Sequence, residues 1–186
     1  ELKGNLPAVA AAAGLSLGEY SALTFAKALQ LEDALKLVIA RGRHMQECCE
    51  AQPSGMVSLL GINVEDLGPA LGEGVGIAND NAPGQVVLSG PQDALAAAAE
   101  KAKELGARRA VPLNVAGAYH SELMAPAGEK LASDLAEAGF TAPAVPVYSN
   151  VTGELHGEDA DTMRDLLVKQ VSGTVRWRES MGALFA

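Results

Sequence analysis

Gly14-Leu15-Ser16-Leu17-Gly18 fits G-x-S-x-G, the pattern of a serine nucleophile raised on a sharp turn from strand to helix. Such a turn leaves no room for bulky neighbours, which accounts for a glycine two positions to either side of the serine. The helix that follows would offer free N–H groups and the positive end of its dipole, so the Leu17 N–H is the natural donor to an oxyanion. The alternative is a serine that only caps the helix. A serine nucleophile needs a base, and the chain has three histidines. His44 falls on a helix outside its apolar stripe and is expected to face solvent. His156 lies in a polar turn, Thr152-Gly153-Glu154-Leu155-His156-Gly157. His120 follows a strand end in Gly117-Ala118-Tyr119-His120-Ser121, the kind of junction that carries catalytic groups. A buried, hydrogen-bonded histidine without chemistry would also fit there. Arg41 stands beside an apolar helical stripe, three residues after Val38 and four before Met45. A partly buried guanidinium needs an anion. That anion is either a protein carboxylate or a substrate carboxylate gripped by two hydrogen bonds.

The elements that must position these groups follow from the hydropathy rhythm. Residues 7–13 read as a short buried strand and 19–29 as a helix. Leu31, Leu35, Val38, Gly42, Met45 and Cys49 mark one face of a second helix, ended at Gln52-Pro53-Ser54-Gly55. Strands are expected at 56–60, 75–78, 85–89 and 109–115, with a short helix at 64–71. A longer helix at 91–105 has Pro91 at its first position and Gly106 after its end. This β-α-β-β-α-β order over residues 55–116 is that of a ferredoxin-like unit. It would be an insert in a body made of residues 1–54 and 117–186. In that body, helices are expected at 126–138, 161–171 and 177–186, and a strand at 145–150. Two strands, 7–13 and 145–150, are too few for a buried parallel sheet, so the chain is expected to be an excerpt of a longer α/β domain.

Composition narrows the function classes. Of the 186 residues, 48% are apolar and only 4% aromatic, so the core must be built largely from Ala, Val and Leu. The net charge of −9 argues against nonspecific nucleic-acid binding, which needs a basic footprint. No apolar run is long enough to span a bilayer. The opening Glu1-Leu2-Lys3-Gly4-Asn5 does not read as a signal peptide. Cys48 and Cys49 are adjacent and no CxxC pair occurs, which favours a reducing, cytoplasm-like compartment. The histidines lack metal-ligand spacing, so no metal site is expected.

Six segments in this order carry a resemblance: Gly14 to Leu23, Arg41-Gly42 with Met45-Gln46, Asn81-Ala82-Pro83-Gly84-Gln85-Val86-Val87, Gly117 to Ser121, Tyr148-Ser149-Asn150-Val151-Thr152-Gly153, and Val175-Arg176-Trp177. Together they resemble the malonyl-CoA:acyl-carrier-protein transacylases of type II fatty-acid synthesis and the acyltransferase domains of polyketide synthases. The resemblance covers nearly the whole chain. It implies an α/β-hydrolase-like parallel-sheet body with a ferredoxin-like insert, in the cytoplasm or an organellar stroma. It implies ping-pong acyl transfer in which Ser16 takes the malonyl group as an ester, His120 moves the protons, the Leu17 N–H holds the oxyanion and Arg41 pairs with the malonyl carboxylate. Asn81 would join the substrate-binding residues, and Tyr119 resembles the aromatic that crowds out an α-methyl group. No cofactor is implied: the coenzyme A thioester is a substrate, and the phosphopantetheine belongs to the acyl carrier protein. Many members have His where Leu15 stands. The family's Gly-Gln-Gly loop, a second oxyanion donor, and the C-terminal stretch whose carbonyl orients the histidine are not found in these residues. Without them weak activity or none is expected, since one lost oxyanion donor costs about 100- to 1,000-fold. Carrier proteins are usually acidic, so docking would need a local basic patch. Lys101, Lys103, Arg108 and Arg109 form the densest one, Arg176 and Arg178 a second, unless both are ordinary solvated surface. The rival readings are an esterase or thioesterase on a similar elbow, and an inactive carrier-binding fragment.

Overall fold

The computed structural model describes residues 8–186. Six helices and four strands follow the elbow: α1 (Gly18–Phe25), α2 (Leu31–Ala51), β1 (Ser54–Leu60), β2 (Gly76–Ala82), β3 (Gln85–Pro91), α3 (Gln92–Glu104), β4 (Arg109–Pro112), α4 (Ala125–Glu137), α5 (Ala160–Ser172) and α6 (Trp177–Leu184). The strands form one sheet in the order β2-β3-β1-β4, and every neighbouring pair is antiparallel.

Side-chain alternation gives this sheet two different faces. Val57 and Leu59 of β1 and Val86 and Leu88 of β3 join Leu95, Ala98 and Ala102 of α3 in one buried cluster. Met56, Ala78 and Val87 point the other way and pack against Tyr119. A separate cluster gathers Tyr20 and Leu23 of α1, Leu37 and Met45 of α2, Leu131 and Leu135 of α4, and Met163 and Leu167 of α5. The outer edge of β2 is covered: Asp80 N donates to Val175 O (2.9 Å) and Val175 N to Ala78 O (2.8 Å). Pairing that edge removes a template for association with another chain.

Several expectations are corrected. The parallel sheet of the body is reduced, among the described residues, to one parallel bridge between Ala12 and Val147. It is held by Ala12 N to Pro146 O (2.8 Å) and Tyr148 N to Ala12 O (3.0 Å). Residue 7 of the expected strand lies outside the described residues, and residues 8–10 are exposed rather than buried. The helix expected at 64–71 is two 3₁₀ turns, Val64–Asp66 and Gly68–Ala70, because Gly68 and Pro69 interrupt the α-helical hydrogen-bond ladder. Pro91 ends β3 and caps α3 instead of opening it. The buried face of α2 is Ala34, Leu37, Arg41 and Met45, while Leu31 and Leu35 are exposed. This helix carries two apolar rows, and the row turned inward is the one that holds the arginine.

The elbow itself has a one-sided need for glycine. A Cβ on Gly14 would lie 2.0 Å from the Gly18 carbonyl oxygen, whereas one on Gly18 would meet nothing within 4 Å. Gly14→Ala should therefore cost about 3 kcal/mol of unfolding free energy or more through backbone overpacking. Gly18→Ala should stay within about 1 kcal/mol of the parent. Denaturant unfolding of the two variants reads this contrast, and equal costs would contradict it.

Candidate active site

Ser16 adopts φ 52, in the left-handed region that non-glycine residues rarely enter. Its peptide is clamped on both sides. Ser16 N donates to Asn150 Oδ1 (2.6 Å), and Gln170 Nε2 donates to Ser16 O (3.0 Å). Asn150 Nδ2 in turn donates to Gly14 O (2.9 Å), so one side chain spans the turn. The conformation raises the hydroxyl over the start of α1, where the Leu17 N–H is among the first-turn donors that a helix leaves free.

Three elements meet at the Ser16 hydroxyl. His120 Nε2 lies 2.8 Å from Ser16 Oγ, and Arg41 Nη2 donates to the same oxygen at 2.8 Å. His120 is also left-handed, at φ 59, and is buried. Its Nδ1 is 2.8 Å from the Gln170 carbonyl oxygen. A carbonyl only accepts, so Nδ1 carries the hydrogen and Nε2 offers its lone pair to the serine hydroxyl. The orienting carbonyl, expected from a stretch not found in these residues, is thus supplied at this position by Gln170. Burial pushes the His120 pKa down from 6.5 to about 4; the Gln170 carbonyl opposes the shift and the Arg41 cation adds to it.

Arg41 is buried on α2 and makes no ion pair within 4.0 Å among the described residues. Besides Ser16, its Nη2 reaches Gln170 Oε1 (3.3 Å); its Nε has no partner. The guanidinium carbon stands 6.0 Å from the centre of the Tyr20 ring. Burial lowers its proton affinity, and Tyr20 and Glu19 oppose that. Of the two anions open to it, the protein carboxylate is not found in contact.

A cleft of about 330 Å³ opens beside these groups, lined by Ser16, Arg41, Met45, Met56, Asn79, Tyr119 and His120 among others. Asn79 lines it and Asn81 does not. Asn81 falls where β2 shifts register against β3, between Asp80 and Ala82, and a bulge redirects the side chains around it. The other two histidines are also placed differently from expectation. His44 bonds Asp134 across to α4 (2.9 Å), and His156 is buried against Glu19 (2.5 Å). On α3, Lys101 and Lys103 are neutralised by Glu104 and Glu100 of the same helix. Arg176 pairs with Glu179, and Arg178 with Asp80 and Glu65.

Sequence reasoning missed Gln170, Asn150 and Glu19. A signal existed for the first: Gln170 is seven residues after Met163, on the face otherwise formed by Met163, Leu166, Leu167 and Val171. A glutamine in that row has to satisfy its amide inside the protein.

Residues 2–186 match the family described as the acyl transferase domain. The chain is 43% identical over 180 residues to the malonyl CoA-acyl carrier protein transacylase of Bacillus subtilis, covering 94% of this chain and 56% of that protein. The solved malonyl CoA-acyl carrier protein transacylase of Coxiella burnetii matches with a TM-score of 0.91 and 38% identity, over 96% of this chain and 58% of that one. A malonyl-transacylase solved in complex with a type II polyketide synthase acyl-carrier protein matches with a TM-score of 0.91 and 37% identity, over 96% of this chain and 59% of that one. The chain therefore spans well under two thirds of the length of these relatives.

The depressed His120 pKa has a consequence for stability. An unfolded chain takes up this proton near pH 6.5, the folded one only near 4. Between those values the unfolded state holds more protons, so acidification through this window removes stability, by roughly 3 kcal/mol at most. Unfolding free energy measured from pH 7 to 4 should fall more steeply for the parent than for His120→Asn. Parallel curves would show that His120 does not titrate abnormally.

Proposed function

The chain belongs to the acyl transferase family, and on that premise we propose that it moves a malonyl group from coenzyme A to the phosphopantetheine thiol of an acyl carrier protein. In the first half-reaction Ser16 Oγ attacks the thioester carbonyl while its proton passes to His120 Nε2. The Leu17 N–H stabilises the oxyanion. When the tetrahedral centre collapses, the carbon–sulfur bond breaks and His120 returns the proton to the coenzyme A thiolate. The malonyl group is left as an ester on Ser16. In the second half the carrier's thiol gives its proton to His120, attacks the ester and leaves as the malonyl thioester, and Ser16 regains its hydrogen.

The observation that carries this reading is the arginine. A buried guanidinium with an unpartnered Nε reaches the same hydroxyl as the imidazole. A hydrolase of neutral esters has no use for a buried cation there. A substrate with a free carboxylate at the far end of a small acyl group does, because Arg41 can grip it with two parallel hydrogen bonds. The bulk of Tyr119 against the cleft suits a malonyl group without an α-methyl substituent.

The same reading assigns the domains. Residues 55–116 form a ferredoxin-like insert, supported by the sheet order β2-β3-β1-β4 with α3 on one face. Residues 1–54 and 117–186 belong to an α/β-hydrolase-like body, supported by the Ala12–Val147 parallel bridge behind the elbow. The proposed carrier partner is supported by the relative solved with its acyl-carrier protein.

Brief incubation with malonyl-CoA and intact-mass analysis should show one malonyl adduct on the parent and none on Ser16→Ala. Arg41→Ala should slow malonyl transfer by roughly 30-fold or more relative to acetyl transfer, the equivalent of about 2 kcal/mol. Equal losses with both donors would make Arg41 structural. Loss of malonyl-CoA that is as fast without an acceptor thiol as with one would favour hydrolysis over transfer.

A further inference from the structure

Directly behind the elbow lies a carboxylate that the acyl-transfer steps do not use. Glu19, in the first turn of α1, is completely buried. Its two oxygens take three donors. Oε1 faces His156 Nε2 at 2.5 Å; Oε2 accepts from Gln170 Nε2 at 2.6 Å and from Asn150 N at 3.1 Å. His156 is equally enclosed, with no exposed side-chain area, and its Nδ1 has no partner. Such a pair is costly to bury unless it fixes something.

What it fixes is each group around the nucleophile. The Gln170 amide bonded to Glu19 donates its other N–H to Ser16 O and accepts from Arg41 Nη2 at Oε1, while the same residue's carbonyl orients His120. The Asn150 peptide bonded to Glu19 carries the side chain that holds Ser16 N and Gly14 O. Serine, imidazole and guanidinium are therefore each one residue removed from a single carboxylate. Neither Glu19 nor His156 lines the cleft.

We propose that Glu19 and His156 are positioning residues: a buried carboxylate–imidazole pair that sets, through Gln170 and Asn150, the register in which Ser16, His120 and Arg41 meet. The inference rests on Ser16 being the nucleophile of the proposed acyl transfer. The test must therefore separate positioning from the choice of substrate. Two probes do this: malonyl-CoA, and a small phosphonofluoridate. With the latter, Ser16 Oγ forms a bond to phosphorus, the phosphorus–fluorine bond breaks, fluoride departs and the serine proton passes to His120.

Rates are compared per folded molecule, in buffer where denaturant titration shows each variant folded. Displacements of about 1 Å at a reacting centre cost on the order of a hundredfold. Glu19→Gln, which keeps the shape and loses the charge, should slow phosphonylation about tenfold, and Glu19→Ala about a hundredfold. The malonyl-CoA concentration giving half-maximal acylation should rise as well, because Arg41, which would grip the malonyl carboxylate, is held through the same Gln170. His156→Gln, which retains a donor to Glu19, should lose less than His156→Ala. Should Glu19→Ala fail to fold, the Gln variants still decide the matter. Parent-like phosphonylation in Glu19→Gln, with only a lower unfolding midpoint, would reduce the pair to a structural role and overturn the proposal. A parent that phosphonylates but never takes up malonyl would sink the acyl-transfer reading and leave the positioning result intact. A parent inert to both probes would overturn both.

Discussion

Ser16 holds a backbone conformation that its side chain disfavours, and the site is organised around keeping it there. A left-handed non-glycine residue costs of order 1–3 kcal/mol and persists only where its surroundings over-determine it. Here its N–H is tied to Asn150, its carbonyl to Gln170, and the chain before it passes so close to Gly18 that no Cβ fits on Gly14. His120, also left-handed, meets it across more than a hundred residues of chain. Two strained residues facing one another through a single hydrogen bond require rigid support from both sides. That support is polar: amides and a carboxylate in a low-dielectric interior, where hydrogen bonds are strong and unmet ones are expensive.

Apolar packing does a different job. The helical cluster of α1, α2, α4 and α5 holds the residues from which Ser16, Arg41 and Gln170 project. The sheet has a separate core beneath α3. Its opposite face supplies Met56, and the neighbouring Asn79 and Tyr119, as one wall of the cleft. The strap at Val175 joins the two, because it pairs with β2 shortly after the helix that carries Gln170.

Much of this was legible in the sequence, and the exceptions have physical causes. The elbow announces itself because glycine spacing and strand-to-helix change coincide at one serine. The four-stranded sheet with α3 is legible because alternation and helical periodicity change over cleanly between residues 55 and 116. The α2 stripe misled, since Leu31, Leu35 and Ile39 form a row as regular as the buried one, and only tertiary contacts choose between them. Asn81 misled because a register shift in β2 does not show in residue types. The polar layer behind the elbow was illegible for a simpler reason. Glu19, Asn150 and His156 are scattered along the chain and each alone reads as ordinary surface; only Gln170 carries a signal, as an amide in an apolar helical row. The parallel sheet, inferred from two segments, is present only as a single bridge among the described residues.

The two walls of the cleft are carried by different cores that meet at Tyr119. One carries the hydroxyl, imidazole and guanidinium; the other carries Met56 and Asn79 on β1 and β2, and Tyr119 packs against both. Neither Met56 nor Asn79 bonds to Ser16, His120 or Arg41, so side-chain size on the strand wall can change without breaking the hydrogen bonds that join those three. On the proposed acyl transfer, the shape of the acyl group accepted is thus open to adjustment from the sheet side while Ser16, His120 and Arg41 keep their mutual contacts.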